Sequence, residues 1–322
     1  MRILHILGAI YPERGGPAKV VPDLCRALKD NGIDVTIFTT NLNYQGTLDV
    51  PVNVPVYLDG VPVYYFPVSI SRRFGYSQAL GSAIRSQINS FDLVHIHSLY
   101  MYHTTIAAYY CRKFNIPYII RPHGTLDPFL RKKSRIKKSI FNALFEKRNL
   151  NKAAAVHYTS QEEMELAHQA MRIKSPAVVV PLGLHLEEYR DSPSTAELLG
   201  KFPEFEKKFV YLFLGRIDFK KGLDLISYAF GKVAREREDV HLVIAGPDET
   251  GYSQLVRKWL IEEGVIEKTT FTGMLYDKDK LAALSCARVF LLPSYTENLG
   301  IALLEAMLCG ITLFLSENII KY

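Results

Sequence analysis

The chain has 322 residues, about twice the roughly 150 of a common domain, so two domains are expected. Its 48% hydrophobic and 22% charged residues exclude a disordered or fibrous protein. The net charge, 39 − 33 = +6, matches the six cations of the segment Arg131–Lys138, which argues for one local basic patch and against a nucleic-acid binder.

Short β-branched runs alternate with amphipathic stretches, the pattern of parallel βαβ units. The first run, Ile3–Leu7, has no small-residue cleavage site after it and reads as a strand, not a signal peptide. A helix is predicted over Pro22–Asn31, with Pro22 in its first turn, because an interior proline costs about 3 kcal/mol. Further strands are predicted at Val35–Thr39, Val63–Phe66, Leu93–His97, Tyr118–Arg121, Val156–Thr159 and Val178–Val180. His95 and His97 in this set read as hydrogen-bonded core residues. Between two of the strands, 131–148 carries its cations at the front and Ile136, Ile140, Phe141, Leu144 and Phe145 on one helical stripe. That combination suits an interfacial helix on an anionic membrane, where each Lys or Arg adds about 1 kcal/mol. A core-facing helix with a solvated basic end is the alternative.

The polar stretch 187–208 is expected to be a linker between an N-terminal domain, 1–186, and a C-terminal domain, 209–322. In the latter, strands are predicted at Val210–Leu214, His241–Ala245, Thr270–Thr272, Val289–Leu292 and Thr312–Leu315. Helices are predicted at Leu223–Arg235, Ser253–Glu263, Lys278–Cys286 and Gly300–Leu308. Leu299–Leu315 is nearly all apolar, but a membrane span would bury Glu305 at about 2.5–3.5 kcal/mol, so helix then strand fits better. Cys25, Cys111, Cys286 and Cys309 lack metal spacing and read as buried thiols in a reducing cytoplasm. Asp277-x-Asp279 reads as a helix cap, and no metal site is expected. The expected fold is α/β, two Rossmann-like doubly wound domains facing a cleft. Neither has G-x-G-x-x-G after a strand, which disfavours a dinucleotide enzyme.

Ligands of such sheets lie outside the carboxyl ends of the strands. Two loops there combine useful chemistry. In Leu214-Gly215-Arg216-Ile217-Asp218-Phe219-Lys220-Lys221-Gly222 a forked guanidinium and a mobile ammonium can grip a diphosphate. In Pro293-Ser294-Tyr295-Thr296-Glu297-Asn298-Leu299-Gly300 a polar loop opens a helix whose N-terminus suits a phosphate. Glu305 lies inside that helix, and a carboxylate there needs a partner. Glu297 and Glu305 are poorly spaced for a retaining glycosidase, whose carboxylates sit about 5 Å apart. Each gripping a different hydroxyl group of one long ligand fits better.

The G-R-x-x-x-x-K-G loop and P-S-x-x-E-N-x-G-x-x-x-x-E-A-M together resemble the retaining glycosyltransferases of family GT4, which have the GT-B fold. The similarity extends over Gly15-Gly16, His123-Gly124 and Pro181-Leu182-Gly183, though many relatives carry Asn where this chain has Leu182. The resemblance implies sugar transfer from a UDP- or GDP-sugar to a saccharide or lipid-linked acceptor in cell-surface polysaccharide synthesis, with retention and without metal or cofactor. It implies that Arg216 and Lys221 neutralise the diphosphate, Glu297 contacts the donor sugar, and Glu305 binds the ribose. Asn298, Leu299 and Gly300 would hold phosphate and sugar, Gly273 and Met274 would meet the base, and Gly15 and Gly16 would lie by the phosphate. His123 would face the transferred sugar. A cytoplasmic enzyme, peripheral on the inner membrane face, is expected. By the same resemblance the chain, ending at Tyr322, is expected to lack its last strand–helix units. An inactive remnant or partner subunit, or another GT-B enzyme such as an epimerase or phosphorylase, remains an alternative.

Overall fold

Apolar runs covered by helices on both faces must bury alternate residues in both directions, and β10 (Val240–Ala245), buried at every position, does so. The computed structural model describes the chain except residues 12–15, 44–45, 70–73, 129–134, 191–193, 298–299, 318 and 320–322, and of 135–137 it describes the backbone alone. It divides into two units, Met1–Leu184 and His185–Tyr322.

The first unit runs β1 (Arg2–Ile6), α1 (Gly16–Asp30), β2 (Asp34–Thr40), β3 (Pro55–Leu58), β4 (Val61–Phe66), α2 (Gln78–Gln87), β5 (Leu93–His97), α3 (Tyr102–Phe114) and β6 (Tyr118–Arg121). After these come α4 (Arg135–Phe141), a π-helical turn at Asn142–Glu146, α5 (Lys147–Asn151), β7 (Ala155–Tyr158), α6 (Gln161–Ala170) and β8 (Ala177–Val179). The sheet order is β3-β4-β2-β1-β5-β6-β7-β8. Its pairs are parallel except the β3–β4 hairpin, which the sequence reading missed.

The helix expected from Pro22 begins earlier, at Gly16, and holds Pro22 in its interior. Burial of Ala18, Val21 and Cys25 along one stripe outweighs the proline penalty. In the basic segment the helix is interrupted by the π-helical turn, where the buried Glu146 carboxylate accepts from the Tyr100 N–H at 2.7 Å and from Asn149 at 3.2 Å. Burial pushes Glu146 up to about 7.

The second unit contains α7 (Ala196–Lys201), β9 (Phe209–Leu214), α8 (Leu223–Glu236), β10, α9 (Tyr252–Glu262), β11 (Thr269–Gly273), α10 (Asp277–Cys286), β12 (Ala287–Leu292), α11 (Ile301–Leu308) and β13 (Thr312–Leu315). Its all-parallel sheet has the order β11-β10-β9-β12-β13. The expected linker, 187–208, is instead part of this unit. Leu198 and Phe205 are buried in its core and Tyr189 is buried too, because their apolar area outweighs the polar neighbours. No side-chain hydrogen bond caps α10: Asp279 pairs with Lys201 at 2.6 Å, which corrects the expected Asp277–Asp279 cap. All four cysteines are free, but Cys286 and Cys309 are half-buried, since they lie on partly covered elements. Among the described residues no helix is long and apolar enough to cross a membrane.

Candidate active site

In the second unit the strand order reverses at β9, whose neighbours are β10 on one side and β12 on the other, the switch point where such sheets open a crevice. The loops leaving these strands are locked together by backbone. Tyr295 N–H donates to the Lys220 carbonyl at 2.8 Å, joining the loop after β12 to the loop after β9. Ile217 N–H donates to the Pro247 carbonyl at 2.9 Å and Gly246 N–H to the Gly273 carbonyl at 2.8 Å. Such approach demands glycine. A Cβ at Gly222, whose φ is +67°, would collide with the Pro293 carbonyl, and one at Gly246 with the Gly215 carbonyl.

On this frame Asp218 caps a short 3₁₀ turn by accepting from Lys220 N–H, and the turn delivers Lys221 to Glu297. The two form a half-buried ion pair, 12% exposed on each side, and the Ser294 hydroxyl donates to the same carboxylate at 3.4 Å. Arg216 lies 3.9 Å from Glu249. Lys220, which the sequence reading did not select, is pushed down from the ordinary lysine range, first by burial and then by the charges of Arg216 and Lys221. Three cations therefore share one field at the switch point, a setting that favours a polyanion.

Glu305 is engaged elsewhere. It is buried in α11, and one oxygen accepts from the Tyr189 hydroxyl and from Lys280, both at 2.8 Å. The partner that its burial demanded thus comes from residues no motif flagged, Tyr189 and Lys280. Gly300 is the N-cap of α11 at φ +55°, and Gly273 ends β11 at φ +70° with Met274 next. Asn298 and Leu299 lie outside the described residues, as does Gly15, while Gly16 opens α1.

In the first unit His123 follows β6 in a left-handed conformation, φ +54°, sparsely populated by residues other than glycine. Gly124 N–H donates to Glu163 at 2.7 Å, and the other oxygen of Glu163 accepts from the N–H and hydroxyl of Thr159, each at 2.8 Å. Glu163, also missed from sequence, fixes the strained loop. Burial holds the His123 imidazole well below its usual range, helped by the Arg121 charge, so it is neutral near pH 7.

A pair of Rossmann-like units, the second bearing a cation–carboxylate cluster at its switch point, defines the GT-B class of fold. The family description "Glycosyl transferases group 1" matches residues 194–319, and "Glycosyl transferase 4-like domain" matches 15–183. The chain belongs to the GT4-like, group 1 glycosyltransferases. It is 25% identical over 325 residues to the alpha-monoglucosyldiacylglycerol synthase of Streptococcus pneumoniae, covering 96% of this chain and 70% of that protein. It is 33% identical over 151 residues to the phosphatidyl-myo-inositol mannosyltransferase of Mycobacterium leprae, covering 46% of this chain and 37% of that one. The crystal structure of Anabaena HepE in complex with UDP and glucose superimposes with a TM-score of 0.74 at 18% identity, over 97% of this chain and 80% of that one, a likeness of fold.

Proposed function

We propose that this chain transfers a sugar, with retention and without a metal, from a UDP- or GDP-sugar to a lipid-linked or saccharide acceptor in cell-surface polysaccharide synthesis on the cytoplasmic membrane face. The observation that carries this is the backbone lock between the Lys220 and Tyr295 loops, which sets Lys220 and Lys221 beside Glu297 with the Arg216 charge acting on Lys220. Cations placed in advance of reaction stabilise a departing diphosphate, the electrostatic term that commonly dominates catalysis. In this reading Arg216 and Lys221 hold the diphosphate and Glu297, released from Lys221, meets the sugar. Glu305 turns its carboxylate toward the ribose, Gly273 and Met274 bracket the base, and the backbone of 298–300 and of Gly15 and Gly16 lies against the phosphates. His123 acts on the transferred sugar. UDP and glucose in the HepE crystal structure and the lipid in both relatives' names support the choice of substrates. The test is to incubate the purified chain with UDP- and GDP-sugars and lipid acceptors. Transfer with retained anomeric configuration is expected. Nucleotide binding without transfer or donor hydrolysis identifies an inactive nucleotide-binding protein instead.

The acceptor's location is supported by the basic segment. Ile140, Leu144 and Phe145 are exposed at 56%, 63% and 39%, an apolar stripe left facing solvent next to a run of cations. Phe141 packs inward, edge-on to Phe74 and Tyr100, and anchors the stripe. Reversing Arg131, Lys132, Lys133, Arg135, Lys137 and Lys138 to Glu is expected to abolish flotation with anionic liposomes, at about 1 kcal/mol per cation. Unchanged flotation would sink the membrane assignment.

A further inference from the structure

The first unit gathers around His123 a cluster of histidines, His5, His95, His97 and His157, to which the proposed reaction assigns no role. β1 and β5 are parallel with His5 opposite His95, and His97, two residues on, shares the face of His95. His157 comes from β7 and His123 from the loop after β6. The ring centres of His95 and His97 are 4.3 Å apart, and those of His97 and His123 are 5.3 Å apart. Burial holds His5 down at about 3 and His95, His97 and His123 well below the usual range, with the neighbouring rings adding to the effect. All four are neutral near pH 7, and a neutral imidazole has one N–H donor and one acceptor nitrogen.

That count fixes the tautomers. A carbonyl can only accept, so His157 Nε2–H donates to the Val180 carbonyl at 3.1 Å. His157 Nδ1 must then accept from His95 Nε2–H at 3.4 Å. On the other branch His97 uses both nitrogens, Nε2 with His5 Nδ1 and Nδ1 with His123 Nε2, each at 3.1 Å. Only two arrangements make both bonds: the N–H lies on Nδ1 of all three rings, or on Nε2 of all three. The second would leave an N–H at His5 Nε2, which is buried and has no partner. An orphaned buried N–H is among the rarest defects of native proteins, whereas the first arrangement leaves only a bare lone pair there.

We propose that His5 and His97 are positioning residues that hold His123 as its Nδ1–H tautomer, so that its remaining nitrogen donates a hydrogen bond to an oxygen of the transferred sugar. The identity of the ligand rests on the glycosyltransferase reading; the tautomer does not. A three-imidazole metal centre is the competing use, since nitrogens of His5, His95 and His97 lie within 4.8 Å of one another. It would set a divalent cation in the field of the buried Arg121 guanidinium with no carboxylate ligand, an uncompensated charge among buried side chains.

Long-range ¹⁵N–¹H correlation on the histidine-labelled chain near pH 7 reads the tautomers directly. The expected result is protonated Nδ1 and bare Nε2 at His123, His97 and His5. His97→Met, whose thioether can accept a hydrogen bond but not donate one, should move the His123 proton to Nε2 and lower kcat roughly tenfold, about 1.4 kcal/mol, with KM little changed. His97→Gln, whose amide can donate to His123 Nε2, should restore the Nδ1–H form and most of the turnover. A wild-type His123 protonated at Nε2 overturns the proposal, as does a tautomer indifferent to His97→Met. Zinc that raises the melting temperature and broadens the His5, His95 and His97 signals replaces it with the metal centre. If no nucleotide sugar is turned over, the function fails while the spectra still decide the relay.

Discussion

Lys221→Ala is expected to lower sugar-transfer turnover by well over tenfold, and Arg216→Ala by about tenfold, 1.4 kcal/mol or more of transition-state stabilisation. The ranking follows from their surroundings. Lys221 is half-buried against Glu297, so its removal both deletes a cation and leaves the Glu297 charge less compensated where the diphosphate is proposed to bind. Arg216 has only the looser contact to Glu249 at 3.9 Å, and Lys220 in the same field can partly replace it. Steady-state kinetics with the preferred nucleotide sugar, alongside melting temperatures to confirm folding, measures both effects. Wild-type rates in both variants would refute the diphosphate assignment.

Glu305→Ala should act chiefly on stability. The carboxylate is 3% exposed, and its removal strands the Lys280 ammonium, 17% exposed, and the Tyr189 hydroxyl without their common acceptor. Breaking one side of a buried pair costs about 3–5 kcal/mol. In a unit of this size that lowers the melting temperature by roughly 10 °C. Glu305→Gln keeps an acceptor for Tyr189 and should lose less. A melting temperature unchanged in Glu305→Ala, with weaker nucleotide binding, would show that the residue serves the ribose and leaves the fold alone.

How much was legible in the sequence differs from element to element. Strands such as Leu93–His97 and Thr312–Leu315 were read to the residue, because β-branched runs bounded by polar residues leave little choice. The β3–β4 hairpin was missed although Asp59-Gly60, both at positive φ, is a strong two-residue turn signal between alternating residues. The start of α1 and the π-helical turn at Asn142–Glu146 could not be read, since each depends on packing that overrides local propensity.

The same division runs through the site. The sequence by itself determined the family, the α/β alternation and the two loops of chemistry, because turn glycines and cations are set by local backbone demands and need few distant partners. Tertiary structure alone decided that Lys221 pairs with Glu297, that Glu305 belongs to Tyr189 and Lys280, and that histidines from β1, β5, β7 and the loop after β6 gather into two hydrogen-bonded chains, His5–His97–His123 and His95–His157. These partners are far apart in the chain. What joins them is strand order and register, which bring distant segments side by side and which no local pattern encodes.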